Sequence, residues 1–314
     1  MYFNHPFQFD PSYGYDLQRL LAVLAPPAPE NFAEFWHNRY KKALLLHPDF
    51  ERQYTGVVAS YKIFDIWYQS TGGFRIGGWL LEPENQAVEQ CIIVGHGYGG
   101  RDEPDYHLDI PGTAYLFPCF RGLSRSRCAE VSDQPHLHVL HGIEDPDRYI
   151  IGGCVDDLWL AVSVMLELYP DTVGRVGYMG ISFGGGIGAL AIPWDKRIQR
   201  AHLNVPTFGC QSLRLRLPTI GSGAAVTQYV NEHGHIPITL SYYDAAIAAT
   251  YASQSVHIAA ALFDPMVAPP GQFAVYNAWA GHKSLFVLDA GHFEYPRQEQ
   301  QNRQLLYELK QFFR

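Results

Sequence analysis

Residues 176–190 read VGYMGISFGGGIGAL. An apolar run gives way to Gly180-Ile181-Ser182-Phe183-Gly184 and then to small residues. A serine in a tight strand-to-helix turn projects its hydroxyl, and bulky neighbours would collide there, so glycines flank it. The spacing predicts a strand through Gly180, a nucleophile elbow at Ser182 and a helix of small side chains behind it. A glycine-rich turn with an incidental serine has the same local pattern. The reading therefore depends on whether the rest of the chain supplies a base, an acid and amide donors for an oxyanion.

Working outward, short apolar strands alternate with helices. CIIVG (91–95), TAYLFP (113–118), IQRAHLNV (198–205), VHIAAALFD (256–264) and KSLFVLDAGH (283–292) read as strands with loops at their ends. Residues 153–168, with Val155, Leu158, Val162, Met165 and Leu166 on one face, read as a helix, as do 271–280 and the amphipathic 298–313. VVASYKIFDIWY (57–68) and FRIGGWLL (74–81) read as an antiparallel hairpin turning at STGGF. Phe32, Phe35, Trp36 and Tyr40 recur at helical spacing after Asn31, a candidate N-cap. This pattern predicts one α/β domain over 1–314 of the α/β-hydrolase type, mainly a parallel sheet with helices on both faces and an N-terminal antiparallel hairpin. A helical extension occupies about 1–50. Residues 207–240, rich in Gly, Pro and polar groups, read as a lid-like insertion over the carboxyl edge of the sheet.

Ligands of such sheets sit at the carboxyl ends of the strands. Ser182, Asp264 and His292 all fall there, in the chain order of an α/β-hydrolase triad. A serine hydroxyl needs a base, which His292 supplies, and Asp264 holds the imidazole in the required tautomer. Asp289 is the competing acid, but it lies three residues before His292 and would have to fold back on it. The oxyanion needs aimed N–H groups. One is the amide of Phe183; the other comes from the GHGYGG loop (95–100), with Tyr98 the expected donor beside Gly97 and Gly99.

The 314 residues include 47% hydrophobic and 17% charged, enough for a substantial core, and the formal net charge of −8 argues against nucleic acid as the partner. Aromatics at 14% exceed what packing alone requires and suggest a pocket or subunit interface. The N-terminus MYFNHPFQFD lacks the pattern of a signal peptide, and no apolar run reaches the roughly 18 residues of a membrane span. Five scattered cysteines without a Cys-x-x-Cys pair point to free thiols in a reducing cytoplasm and away from structural zinc. HLHVLH (136–141) reads as a polar segment more readily than as a metal set, and RDEPDYHLD (101–109) as a solvated loop. Arg214 and Arg216 are too few for a binding patch. No cofactor and no metal are expected.

With these residues in place, the chain resembles the acetyl xylan esterase and cephalosporin C deacetylase family of carbohydrate esterases, from about Pro27 to the C-terminus. GHGYGG resembles its oxyanion loop, with Tyr98 at the donor position. RGLSRS (121–126) resembles its Arg-Gly-Gln-x-x-Ser motif, GISFGGG its elbow, and GHFEY its Gly-His-Glu motif. SYYDAAIAA (241–249) and PPGQFAVYNAW (269–279) resemble the segments flanking its acid. Leu123, Phe183 and Phe293 stand where the family has glutamine, glutamine and glutamate, and Asp264 lies one residue further from Pro269-Pro270 than the family spacing. The resemblance implies an esterase removing small acyl groups from oxygen, as in acetylated sugars. It also implies that Arg121, Gly122 and Phe293 border the substrate, and that the chain forms ring-like homo-hexamers with inward-facing sites. Two readings stay beside it. Phe183 and Phe293 suggest a greasier pocket, as in a carboxylesterase or thioesterase for apolar acyl groups. A catalytically silent hydrolase fold used for binding is the other.

Overall fold

A computed structural model of the chain describes residues 3–314. Among these residues nine strands form one mixed sheet: β1 (Glu51–Val58), β2 (Tyr61–Gln69), β3 (Arg75–Pro83), β4 (Gln90–Gly95), β5 (Thr113–Pro118), β6 (Val176–Ile181), β7 (Ile198–Asn204), β8 (Ser255–Ala261) and β9 (Lys283–Leu288). Their spatial order is β1-β2-β3-β5-β4-β6-β7-β8-β9. The pairings from β1 to β5 across β2 and β3 are antiparallel; β5-β4-β6-β7-β8-β9 is parallel throughout.

The parallel strands are apolar on both sides because both faces are covered. Alternation along β4 shows the division. Cys91 and Ile93 enter a core shared with the helices Ile150–Leu168 and Phe183–Ala191 and with Trp36 of the helix Phe32–Leu44. Ile92 and Val94 enter a second core, closed by Leu305 and Leu309 of the helix Gln298–Phe312. Fully burying a side chain of this size contributes about 1.5–3 kcal/mol. Among the described residues no helix is long and apolar enough to cross a membrane.

The expected N-terminal hairpin is present, β2 pairing antiparallel with β3, but its first strand starts later and a further strand precedes it. Residues 57–68 are not one strand: the chain reverses at Ala59 and Ser60, whose φ angles are 51° and 70°, and pairs Val58 with Tyr61. Three antiparallel strands result where two were expected. A two-residue hairpin with positive φ at both central positions is usually signalled by Asn-Gly or Asp-Gly; Ala-Ser carries no such signal. β1 is exposed along nearly its whole length, so it shows no apolar alternation either. Asn31 precedes the helix Phe32–Leu44 as expected, but its side chain does not cap it; Oδ1 accepts from the Tyr242 hydroxyl at 2.5 Å. The expected insertion at 207–240 holds the helices Gln211–Arg214 and Ser222–His233 and enters a third, Thr239–Tyr242.

The topology fixes where a site forms. The chain leaves β4 toward β5 on one side and returns past it to β6 on the other. That switch opens a crevice at the carboxyl ends of β4 and β6, where the GHGYGG loop and Ser182 emerge.

Candidate active site

Ser182 joins β6 to the helix Phe183–Ala191 with φ 54° and ψ −109°. A non-glycine residue held in such a sparsely populated region costs on the order of 1–3 kcal/mol and persists only when its surroundings dictate it. Here they do. Ser182 N donates to Asn204 O at 2.8 Å, Thr207 N to Ser182 O at 3.2 Å, and Gly184 N to His96 O at 2.9 Å. A methyl group at Gly184 would stand 2.8 Å from the backbone of Gly95 and His96, so the helix approaches the β4 loop only with glycine there.

His292 follows β9 in a left-handed conformation, φ 47°. Its Nε2 lies 2.9 Å from Ser182 Oγ and its Nδ1 2.8 Å from Asp264 Oδ2. An ionised carboxylate only accepts, so Nδ1 carries the proton and Nε2 is left to accept from the serine hydroxyl. Asp264 is fully buried after β8. Its Oδ1 accepts from the amides of Met266 and Val267, each at 2.9 Å, and its Oδ2 from Gln272 Nε2, also at 2.9 Å. Burial works against a charged imidazole, but the Asp264 carboxylate outweighs it and holds His292 above the ordinary imidazole value. Asp289 is engaged elsewhere: its carboxylate takes both Nε and NH2 of Arg297, at 2.8 and 2.5 Å.

Phe183 is the first residue of its helix, so its amide has no acceptor inside it. The β4 loop turns tightly, Gly100 N donating to Gly97 O at 3.0 Å around Tyr98 and Gly99. It runs beside the serine: a methyl on Gly97 would lie 3.9 Å from Ser182 Cβ. Two histidines fix this loop. His96 Nδ1 donates to Gly97 O at 2.7 Å while its Nε2 accepts from Phe120 N at 3.0 Å. His138 Nδ1 accepts from the Tyr98 hydroxyl at 3.0 Å and its Nε2 donates to Arg121 O at 3.0 Å. Burial lowers both imidazoles to about 4, so they stay neutral, as these donor and acceptor roles require.

The three residues expected at the substrate make packing and pairing contacts within the chain. The Arg121 guanidinium is buried and committed to Asp157, Ser70 and Thr71, with NH2 2.6 Å from Asp157 Oδ1, and lies over the Phe74 ring. It borders a cavity of about 970 Å³ shared with Arg39 and Asp156, whose walls include neither Ser182 nor His292. A buried aspartate in an apolar helix demands such a partner, and breaking the pair costs about 3–5 kcal/mol. Gly122, at φ 78°, packs under Val131 and His138, leaving no room for a side chain. The Phe293 ring packs on Phe3, Phe7 and Phe263. The Phe183 ring, in turn, does not line a greasy pocket. It is fully buried, stacked on Tyr98 at 4.1 Å and edge-on to Phe120 at 5.5 Å. His96, His138 and Gln272 are the supporting residues that the sequence reading missed. The signal for Gln272 was its place in Pro-Pro-Gly-Gln just after the acid; that for His96 was its position ahead of Gly97.

A mainly parallel sheet in this order, with a serine elbow after β6, a carboxylate after β8 and a histidine after β9, defines an α/β-hydrolase. The sequence matches the model of the acetyl xylan esterase family over residues 24–311. The chain belongs to that family and is a carboxylic ester hydrolase. Acetyl xylan esterase 1 from Thermoanaerobacterium sp. superimposes with a TM-score of 0.82 at 21% identity, over 96% of this chain and 99% of that one. An acetyl xylan esterase from Paenibacillus sp. R4 gives 0.81 at 22% identity, over 94% and 99%. An esterase from Pyrococcus furiosus gives 0.58 at 16%, over 85% and 98%.

Proposed function

We propose that Ser182, His292 and Asp264 form a catalytic triad that hydrolyses acetyl and other short acyl esters, with acetylated carbohydrates as the substrate class and cephalosporin-type acetyl esters as a chemical equivalent. The observation that carries this is the continuous relay from Ser182 Oγ through both ring nitrogens of His292 to a buried carboxylate. As Oγ attacks the ester carbonyl, His292 Nε2 takes its proton and Asp264 balances the imidazolium. The tetrahedral oxyanion faces the amides of Phe183 and Tyr98; each such donor contributes roughly 100–1000-fold in rate. Collapse expels the alcohol with the proton from His292. Water activated by the same nitrogen then releases the acid from the acyl-serine. These steps call on no metal or cofactor.

Two observations weigh against an apolar acyl pocket: the rings that suggested it, Phe183 and Phe293, are committed to packing. The complete relay weighs against a silent binding protein. The five free cysteines support a reducing, cytoplasmic setting. Fluorophosphonate labelling, combined with rates on p-nitrophenyl esters of rising chain length and on acetylated xylose, tests the proposal. The label is expected on Ser182, lost in Ser182→Ala, and the rates highest for acetate. A preference for long acyl chains would overturn the substrate class, and unlabelled, inactive protein would overturn the mechanism.

A further inference from the structure

Apart from the two cores flanking the sheet, a third small cluster forms around the catalytic loops. Phe263, Ala290 and Tyr295 are buried in it, and Phe3, Phe7 and Phe293 pack on them. Phe263 immediately precedes Asp264 and Phe293 immediately follows His292. Phe3 meets Phe263 edge-on at 5.0 Å, Phe7 meets Phe293 at 6.0 Å, and Phe263 meets Phe293 at 5.0 Å. The backbone joins in: Asp264 N donates to Pro11 O at 3.1 Å, and Gly291 N to Phe263 O at 2.8 Å. Further along, Tyr13 donates its hydroxyl to Pro218 O at 2.8 Å, while Ile220 N donates to Pro265 O at 2.9 Å. The first residues thus run across the acid and base loops to the 207–240 segment.

Loops beyond strand ends have no ladder to hold them. The His292 ring is oriented by its bonds to Asp264 and Ser182, but its distance from both depends on the loop that carries it, and an error of about 1 Å there costs up to roughly 100-fold in rate. From these contacts we infer that residues 3–13 are a positioning strap, anchored by Phe3 and Phe7, that holds the Asp264 and His292 loops in register with Ser182. The inference rests on the triad proposed above. The strap touches none of the reacting atoms and acts through the two loops.

The test measures kcat, KM and fluorophosphonate labelling rate on p-nitrophenyl acetate, well below each variant's Tm. The variants are Phe7→Leu, Phe7→Tyr and Phe3→Ala with Phe7→Ala. Phe64→Ala is the control; its ring packs on Tyr54 at the antiparallel edge of the sheet. The double variant is expected to lose roughly tenfold or more in kcat, with KM within about twofold and labelling slowed in parallel. Phe7→Tyr should restore the rate, and Phe64→Ala should lower Tm without changing kcat. Should the double variant fail to fold, Phe7→Leu decides: lost kcat with retained Tm supports the strap, and unchanged kcat overturns it. A Phe64→Ala loss equal to that of the strap variants also overturns it. Unmodified protein without Ser182-dependent turnover would instead sink the triad, so the two failures are distinguishable.

Discussion

Gln272 donates its side-chain amide to Asp264 Oδ2 at 2.9 Å, the same oxygen that holds His292 at 2.8 Å. The amide is itself fixed, donating to Val267 O at 2.6 Å while its Oε1 accepts from Ala261 N at 2.8 Å. Gln272 therefore aims the acid. Gln272→Ala is expected to lower kcat roughly tenfold with little change in KM, and to cost about 1–3 kcal/mol through the buried groups left unpaired. Gln272→Glu should be worse on both counts, since it sets a second carboxylate against the first. Steady-state kinetics and thermal unfolding check both; an alanine variant with wild-type kcat would remove Gln272 from the site.

Asp264→Asn is expected to leave the fold intact and cut kcat by roughly 10⁴, because the imidazole loses tautomer control and counter-charge. Asp289→Asn disturbs the pairing with the half-exposed Arg297 and a long contact from Gln301 Nε2, and should keep kcat within a few-fold. Kinetics on both, with circular dichroism, tell them apart, and a severe loss in Asp289→Asn alone would reverse the assignment.

The pH dependence follows from His292. Burial opposes its charge, the Asp264 carboxylate more than offsets that, and the group sits above the ordinary value of 6.5. Turnover needs the neutral ring, so kcat/KM should fall as pH drops through a value above 6.5. In Asp264→Asn burial is unopposed and the acid limb should move below 6.5. Stability runs the other way: the raised imidazole contributes stability in full below its unfolded value, lost as pH climbs through the folded one. A pH–rate profile with the acid limb below 6.5 in the unmodified protein would contradict this.

His138→Phe keeps the volume but strands the Tyr98 hydroxyl and the Arg121 carbonyl. The expected result is a stability loss of about 1–3 kcal/mol and a several-fold drop in kcat as the Tyr98 amide loses its anchor. Unfolding curves and kinetics measure the two. Full activity at full stability would show that the β4 loop holds itself.

Much of the site was legible because its residues obey local rules. Glycine spacing marks the elbow, and apolar strands ending in Asp264 and His292 mark the acid and base. What escaped lies in tertiary contacts. Arg121 resembled a substrate residue, yet the deciding fact is a buried Asp157 on a distant helix. Phe183 read as a pocket wall because the sequence does not say which way a helix's first side chain points; five aromatic neighbours turn it inward. The Ala59-Ser60 reversal lacks glycine, and the exposed β1 lacks periodicity. The strap is invisible locally, since Phe3 and Phe7 meet their partners only after the sheet is built.

The strap also sets an order in time. Residues 3–13 are synthesised well before residues 263–293, yet each is the other's packing partner. Nucleophile and β4 loop can assemble as soon as β4 to β7 pair, but the base and its acid cannot be clamped until residues 263–293 have been made. Before residues 263–293 are made, Phe3 and Phe7 lack their partners and Ser182 lacks its base. The relay from Ser182 can close only once β8 and β9 have joined the sheet.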